Sequence, residues 1–332
     1  MIAALARLRV SRPAARIAIT LALASFAASS ALAFDVQGHR GARGLAPENT
    51  MAAFARATAI GVTTLETDLA VTRDGVLVIS HDPFLNPDVV RASDGQWLST
   101  KGPPIRTLSL AELKQYDIGR LNPQSAYAKQ FPEQKAQDGE RFPTLAELFT
   151  VVKASDKPLR LNLETKITPT QPDETVDAPT FARLVVDAIR GAKLEKRATI
   201  QSFDWRTLVE AKKLAPEIET VCLTIETENN DTVQRVSGRP SPWHAGLNLA
   251  AHGGSLPRLV QAAGCGTWSP FWRNVNAALI AEAHALGIKV LPWTVNNPAD
   301  MATLIDMKVD GLISDYPDRL RKAIADKGIA FP

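Results

Sequence analysis

Cysteine and histidine are scarce in this 332-residue sequence, which contains two cysteines and five histidines. Two cysteines cannot form the disulfide framework of a small secreted scaffold, although an exported protein could oxidise them if geometry allows. We expect Cys222 and Cys265 to be small buried hydrophobic residues on strands. Disorder is excluded by composition, because 45% of the residues are hydrophobic, enough for a sizeable core.

No apolar run is long enough for a comfortable membrane span. The most apolar stretch begins at Ile17, is interrupted by serines and ends in Ala31-Leu32-Ala33, and it is preceded by four arginines, Arg7, Arg9, Arg12 and Arg16. This pattern is typical of a secretory signal peptide, which we place at residues 1–33 with cleavage before Phe34. We therefore expect an exported protein, periplasmic or secreted, without stable membrane insertion.

Excess charge of either sign is also missing once the leader is removed. Four of the 38 basic residues lie in residues 1–33 and none of the acidic ones does, which leaves 34 basic and 35 acidic residues and a net charge of −1. The basic character of the whole sequence is a property of its leader. Composition thus gives no reason to expect nucleic acid or an anionic membrane as a partner.

What the sequence does contain is a cluster of acidic and histidine residues in LETDLAVTRDGVLVISHD. Glu66 and Asp68 are two residues apart on a predicted strand, so their side chains point to the same face. Asp74-Gly75 is a tight-turn signal that folds the following β-rich run back antiparallel and returns His81 beside Glu66. Two oxygen ligands suited to Mg²⁺ or Ca²⁺ would then lie next to an imidazole able to transfer protons near neutral pH.

The remainder of the chain alternates strands and helices, which favours a parallel sheet wrapped by helices. If the run from Val76 to Ser80 is a hairpin return, eight parallel strands remain, and we predict a (β/α)8 TIM barrel over residues 34–332 with a β-hairpin after its second strand. The return cannot be a parallel barrel strand, because its turn is too short for a crossover connection. The predicted parallel strands begin near 35, 64, 159, 198, 219, 265, 289 and 311.

Residues 83–141 interrupt this alternation, with frequent proline, aspartate, glycine and glutamine and a single helical pattern over Ser109 to Tyr116. A weakly periodic stretch of this length inside a compact domain is typical of an insertion rather than an ordinary connection. We place it as a small insertion at the C-terminal face of the barrel. Enzymes with this fold carry their chemistry at that face.

The polar residues fall where the predicted strands end, and the ordered motifs resemble those of the glycerophosphodiester phosphodiesterases. The motifs are His39-Arg40-Gly41, Pro47-Glu48-Asn49-Thr50, Glu66-x-Asp68, Asp74-Gly75, His81-Asp82, Glu164-Thr165-Lys166 and Gly311-Leu312-Ile313-Ser314-Asp315. The resemblance covers nearly all of the chain after the leader. It implies a metal-dependent barrel enzyme that splits glycerophosphodiesters into glycerol 3-phosphate and an alcohol, and the segment after His81-Asp82 looks like the insertion of that family.

Cleavage of a phosphodiester needs its charge offset, a proton removed from the nucleophile and a proton given to the leaving alkoxide. We expect one divalent cation, Ca²⁺ or Mg²⁺, on the carboxylates of Glu66, Asp68 and Glu164. Arg40 and Lys166 would add positive charge toward the phosphate. His39 and His81 would act as the general acid and general base, in either order. Trp293 would form a wall of the glycerol pocket. Glu48 and Asn49 are interpreted as loop and cap residues.

Two other functions are compatible with the same motifs. A related barrel could act on intact phospholipid or sphingolipid head groups, as a phospholipase D-like or sphingomyelinase-like enzyme, although residues 83–141 contain no clear amphipathic membrane helix. A binding protein could capture phosphodiesters without turnover, but a paired acid and base serve no purpose in binding. The expected partner is a small glycerophosphodiester, and the sequence does not determine the oligomeric state.

Overall fold

Parallel strands wrapped by helices form the body of the protein, whose computed structural model describes residues 34–330. The predicted leader lies outside the described residues. The strands are β1 (Asp35–Gly38), β2 (Thr64–Val71), β3 (Leu77–Ile79), β4 (Arg160–Thr165), β5 (Ala198–Ser202), β6 (Glu219–Thr224), β7 (Thr267–Pro270), β8 (Lys289–Val290) and β9 (Gly311–Ser314).

Eight of these strands pair in parallel in the order β8-β7-β6-β5-β4-β2-β1-β9. The two ends of this order approach each other, since Asp310 N donates to Val290 O at 3.0 Å and Ile313 N donates to Pro292 O at 3.0 Å. The sheet is therefore a nearly closed barrel, and the predicted (β/α)8 architecture is confirmed. Strand β8 keeps a regular ladder over only two residues, shorter than predicted.

The remaining strand, β3, pairs antiparallel with β2, as the Asp74-Gly75 turn predicts. Gly75 has φ +78°, a left-handed conformation that glycine adopts without steric cost. Leu69 pairs with Ile79, and Ser80 N donates to Asp68 O at 3.0 Å. The hairpin thus returns His81 to the end of β2 where the acidic residues lie.

Nine α-helices follow in chain order: α1 (Met51–Ile60), α2 (Leu110–Leu113), α3 (Leu145–Ala154), α4 (Ala178–Ala192), α5 (Trp205–Leu214), α6 (Leu256–Ala262), α7 (Ala277–Ala285), α8 (Pro298–Asp306) and α9 (Pro317–Asp326), among residues 34–330. Thr50 caps α1 by accepting from Ala53 N, and Thr144 and Glu147 form a capping box on α3. Helix α9 is additional to those predicted. The main hydrophobic core lies between the helices and the barrel wall.

Residues 83–141, the predicted insertion, contribute Leu85, Ile105 and Leu113 to a second small core that also contains Val78 of the hairpin and Phe142. The helix predicted in this insertion is only the single turn α2. A second irregular segment follows β6, where residues 225–255 contain only short 3₁₀ turns before α6. The prediction of strand–helix alternation with little interruption is wrong for that segment.

Cys222 on β6 and Cys265, just before β7, are joined by a disulfide. Because β6 and β7 are neighbours in the sheet, the bond links two adjacent strands of the barrel wall. The expectation of two separate buried hydrophobic residues is therefore wrong, although Cys222 is fully buried. Within residues 34–330, no helix combines the length and apolarity needed to cross a membrane.

Candidate active site

Three carboxylates meet inside the barrel at the C-terminal ends of β2 and β4. The parallel register pairs Asp68 with Glu164, and Glu66 lies two residues before Asp68 on the same face. One oxygen of each carboxylate lies within 4.8 Å of the others, and all three residues are buried. The structure thus brings together the three residues predicted as metal ligands, and this acidic triad could bind a metal ion.

Protein donors orient the triad without saturating it. Glu66 accepts from Gln201 Nε2 at 2.7 Å and from the backbone N–H of Arg40 at 2.8 Å. Asn49 Nδ2 donates to Asp68 Oδ2 at 2.9 Å, whereas Asp68 Oδ1 is buried without a hydrogen-bond partner. Burying a carboxylate oxygen without a hydrogen bond costs free energy, and a bound cation beside it would offset that cost.

Removal from water also governs the titration of the two glutamates of this triad. Burial, together with the charges of Asp68 and Glu164, raises the pKa of Glu66 well above its usual range. The pKa of Glu164 is raised to about 7, chiefly by burial. Carboxylates confined this closely favour a bound cation, and an all-oxygen set suits Ca²⁺ or Mg²⁺ rather than a structural zinc ion.

His39 lies at the end of β1 in a closely packed setting. Its Nδ1 is 2.6 Å from Asp315 Oδ1, and Arg43 holds that aspartate through two nitrogens at 2.8 and 3.0 Å. Since the Asp315 carboxylate accepts a hydrogen bond from Nδ1–H, the lone pair of His39 lies on Nε2, which is 4.0 Å from Glu66 Oε2. Burial, followed by the charge of Arg43, lowers the pKa of His39 to about 4 and leaves the ring neutral at pH 7.

His81 follows the hairpin strand β3 by two residues and is more open. Its side chain is 32% exposed, against 11% for His39. Its Nδ1 is 3.1 Å from Asp82 Oδ1, and Asn86 donates to the other oxygen of Asp82 at 2.6 Å. Partial removal from water, then the charges of Arg40 and Lys166, lowers the pKa of His81.

The two predicted cationic residues both reach the triad. Arg40 places Nη1 2.7 Å from Glu48 Oε1 and Nε 3.3 Å from Asp68 Oδ2. Lys166 Nζ lies 2.7 Å from Glu164 and 3.8 Å from Asp68. Each cation is thus paired with an acidic residue and lies beside the triad carboxylates.

Trp293, at the end of the β8 segment, belongs to an aromatic wall at the barrel mouth. Its ring packs edge-on against Phe203 and Phe271, with centroid distances of 5.2 and 5.8 Å. Lys166 Nζ lies 5.9 Å from the centre of the Phe203 ring, so this wall adjoins the charged pocket. The structure thus places Trp293 in an aromatic cluster next to Lys166.

Sequence reasoning assigned no role to several residues that the structure places here. Asp315 and Arg43 orient His39, and Asn49 holds a triad carboxylate, so its interpretation as a loop or cap residue is incomplete. Tyr127, from the insertion, donates its hydroxyl to Glu48 and accepts from Arg43 Nη1 at 2.9 Å. Asp315 could have been found from its place after the last strand, whereas no sequence pattern marks Tyr127.

Comparison with known proteins agrees with this geometry. The sequence profile of the glycerophosphoryl diester phosphodiesterase family matches residues 39–319. A glycerophosphodiester phosphodiesterase of Caldanaerobacter subterraneus subsp. tengcongensis is 30% identical over 293 residues, covering 88% of this chain and 98% of that protein.

Solved structures show the same relationship. A structure from Silicibacter pomeroyi DSS-3, described as a candidate glycerophosphoryl diester phosphodiesterase, has 33% identity and a TM-score of 0.80, covering 90% of this chain and 95% of its own. A phosphodiesterase of Oleispira antarctica in complex with the product sn-glycerol-3-phosphate has 25% identity and a TM-score of 0.64, covering 88% of this chain and 96% of its own.

Proposed function

Because this chain belongs to the glycerophosphoryl diester phosphodiesterase family and is a glycerophosphodiester phosphodiesterase, we propose that its hydrolysis of glycerophosphodiesters requires one divalent cation. The ligands are Glu66, Asp68 and Glu164. The observation that carries the proposal is the buried triad, in which Asp68 Oδ1 has no hydrogen-bond partner. The products are glycerol 3-phosphate and an alcohol, and the substrate is a small glycerophosphodiester.

The bound cation supplies Lewis-acid polarisation of the phosphoryl oxygens. Arg40 and Lys166 add fixed positive charge at the same end of the pocket and help to orient the anion. Trp293 and its aromatic neighbours wall the pocket beside Lys166 and exclude water from one side of it.

His39 is the general base in this proposal and His81 the general acid. Asp315 engages Nδ1 of His39 and leaves Nε2 as an acceptor facing the triad. His81 is more exposed, where a leaving alcohol can depart. Burial, followed by the charges of Arg40 and Lys166, lowers the pKa of His81. A bound phosphodiester anion would offset those two charges and so favour the protonated ring that a general acid needs.

The nucleophile proposed is the 2-hydroxyl of the substrate's own glycerol, giving a cyclic phosphate that water then opens. An internal hydroxyl is already close to the phosphorus, which favours attack. The two histidines would exchange roles in the second step. A substrate with hydrogen in place of the 2-hydroxyl tests this route: turnover at the normal rate would show that water attacks directly.

The test of metal dependence is removal and return of the ion. Chelation should abolish hydrolysis of glycerophosphoethanolamine, and Ca²⁺ or Mg²⁺ should restore it, while Glu164→Ala should remain inactive with either. Full activity in excess chelator would disprove the proposal. Glycerophosphoglycerol and phospholipid or sphingomyelin vesicles, assayed in parallel, separate this activity from lipid hydrolysis, and binding without turnover would indicate a capture protein.

Export is a further part of the proposal. The arginine-led apolar leader that ends in Ala31-Leu32-Ala33 supports it. The disulfide between Cys222 and Cys265 also supports an oxidising compartment. N-terminal sequencing of the protein recovered from periplasm or medium should begin at Phe34, whereas a product that retains Met1 would contradict cleavage.

A further inference from the structure

A chain of hydrogen-bonded side chains crosses the barrel interior from its floor to the acidic triad. Gln201 Nε2 donates to Glu66 Oε1 at 2.7 Å, and Asn162 Nδ2 donates to Gln201 Oε1 at 2.8 Å and to Gln37 Oε1 at 2.9 Å. Gln37 Nε2 then donates to Asp35 Oδ2 at 2.9 Å. The three amide residues are at most 3% exposed. We call this chain of five residues the amide ladder.

The ladder has a fixed direction. Asn162 donates on both sides, and its Oδ1 accepts from Thr199 Oγ1 at 2.8 Å. Gln201 must therefore present its oxygen to Asn162 and its N–H to Glu66. Rotating either amide by 180° would place donor against donor and acceptor against acceptor, which is costly away from water.

The floor of the barrel anchors this direction. Asp35 Oδ1 accepts from Thr63 Oγ1 at 2.6 Å and Thr64 Oγ1 at 2.7 Å, and Arg160 Nη2 lies 2.7 Å from the same oxygen. Surrounded by donors, Asp35 can only accept, so Gln37 must turn its N–H toward it and its oxygen toward Asn162. Each bond in the ladder thus determines the orientation of the next.

We propose that Asn162 is a positioning residue for the cation site. By fixing the direction of the Gln201 amide, it makes Glu66 an acceptor at Oε1 and holds its carboxylate in the orientation that binds the ion. The proposal rests on the proposed cation site and adds Gln201 and Asn162, which would act on it without being ligands themselves. Loss of such outer partners typically weakens metal affinity roughly 10- to 100-fold.

The decisive variant is Asn162→Asp, which replaces the double donor by an acceptor. Gln201 then turns its N–H toward residue 162 and its oxygen toward Glu66, and cation affinity falls about 10- to 100-fold. An added negative charge near the triad would by itself raise cation affinity, so the expected change is opposite to a simple charge effect.

Two further variants complete the design. Gln201→Met removes the donor to Glu66 at similar volume and should weaken cation binding by a similar factor. Thr199→Val removes a hydrogen bond to Asn162 but leaves both of its donations in place, so it should bind the cation within about threefold of the wild type. It is the matched control for loss of one buried hydrogen bond.

The measurement is calorimetric titration of the metal-free proteins with CaCl₂ and with MgCl₂, alongside thermal unfolding of the same samples. Folded Asn162→Asp and Gln201→Met proteins with wild-type affinity would overturn the proposal, as would an equal loss in Thr199→Val. If Asn162→Asp does not fold, Asn162→Leu, which removes both donations at similar volume, decides. A wild-type protein that binds neither ion would instead place the failure in the proposed cation site.

Discussion

The two histidines of the site come from different elements of the fold, β1 and the hairpin, and are held in different ways. His39 is fixed by the barrel: its strand β1 pairs with β9, and Asp315, which directly follows β9, engages its ring at 2.6 Å. His81 is carried by the hairpin and touches Asp82, the next residue along the chain, at 3.1 Å. One side chain is nearly buried, and the other is about one-third exposed.

This difference in burial and in carboxylate partner explains how two imidazoles of one site can have different catalytic roles. A base must keep a fixed tautomer with its free nitrogen aimed at the reacting hydroxyl, which a buried carboxylate partner ensures. An acid must be reprotonated between turnovers, which access to solvent allows. The barrel side therefore suits the base and the hairpin side suits the acid, and the following experiments test that division in order of decreasing expected effect.

The largest effect is expected from replacing each histidine by glutamine. His39→Gln and His81→Gln should each lower kcat for glycerophosphoethanolamine by roughly 10²- to 10⁴-fold. With a glycerophospho-nitrophenol substrate, whose leaving group needs no proton, nitrophenolate release in the first turnover should recover only in His81→Gln, because later turnovers also need His81 to open the cyclic phosphate. Recovery of first-turnover release in His39→Gln instead would reverse the assigned roles.

Replacing the aspartate that contacts His39 should likewise lower kcat more than replacing the aspartate that contacts His81. Asp315→Asn should lower kcat about 10- to 100-fold, because a buried hydrogen bond to a charged group is worth roughly 1.5–3 kcal/mol. Asp82→Asn should cost less than about tenfold, because partly exposed ion pairs contribute about 0–1 kcal/mol. Equal losses in the two variants would contradict the contrast between the two sides.

A third histidine shows the effect of burial on titration without a hydrogen-bond partner. His244 is 1% exposed and stacks on Trp205 with a centroid distance of 4.3 Å, and neither ring nitrogen has a hydrogen-bond partner. Burial lowers the pKa of His244 to about 4. Between pH 6.5 and 4 the unfolded chain therefore binds the extra proton, and the free energy of unfolding falls as pH falls through that window.

His244→Phe should remove this loss, which we expect to be about 2–3 kcal/mol at pH 4.5. Urea unfolding of wild type and variant at pH 7.5 and pH 4.5 measures it, with His252→Gln as a control for the removal of one histidine. The same pH dependence in wild type and His244→Phe would show that another group causes the acid lability.

The smallest effect is expected at the contact between the insertion and the site. Tyr127→Phe removes the hydroxyl that contacts Glu48, Arg43 and Arg40, so KM should rise about three- to tenfold with a smaller change in kcat. Tyr116→Phe, also in the insertion, is the control. A fall in kcat at constant KM would indicate that the hydroxyl acts in the chemical step.

Much of this arrangement could be predicted because it depends on local spacing. The period of two along a strand places Glu66 and Asp68 on one face, and Asp74-Gly75 specifies the hairpin that returns His81. Parallel strands end at one face of the barrel, which explains why Glu164 joins them. The irregular segment at 225–255 was not predicted, because short 3₁₀ turns produce no extended hydrophobic periodicity in the sequence.

The sequence by itself determined the strand periodicity, the turn chemistry and the order of the motifs, because these follow from backbone sterics and side-chain alternation between near neighbours. Only the tertiary structure decided which distant residues meet: Asp315 with His39, Tyr127 with Glu48, Cys222 with Cys265, and Asn162 with Gln201. Those contacts depend on barrel closure and on the path of the insertion. Both are set by packing over the whole chain rather than by any local pattern.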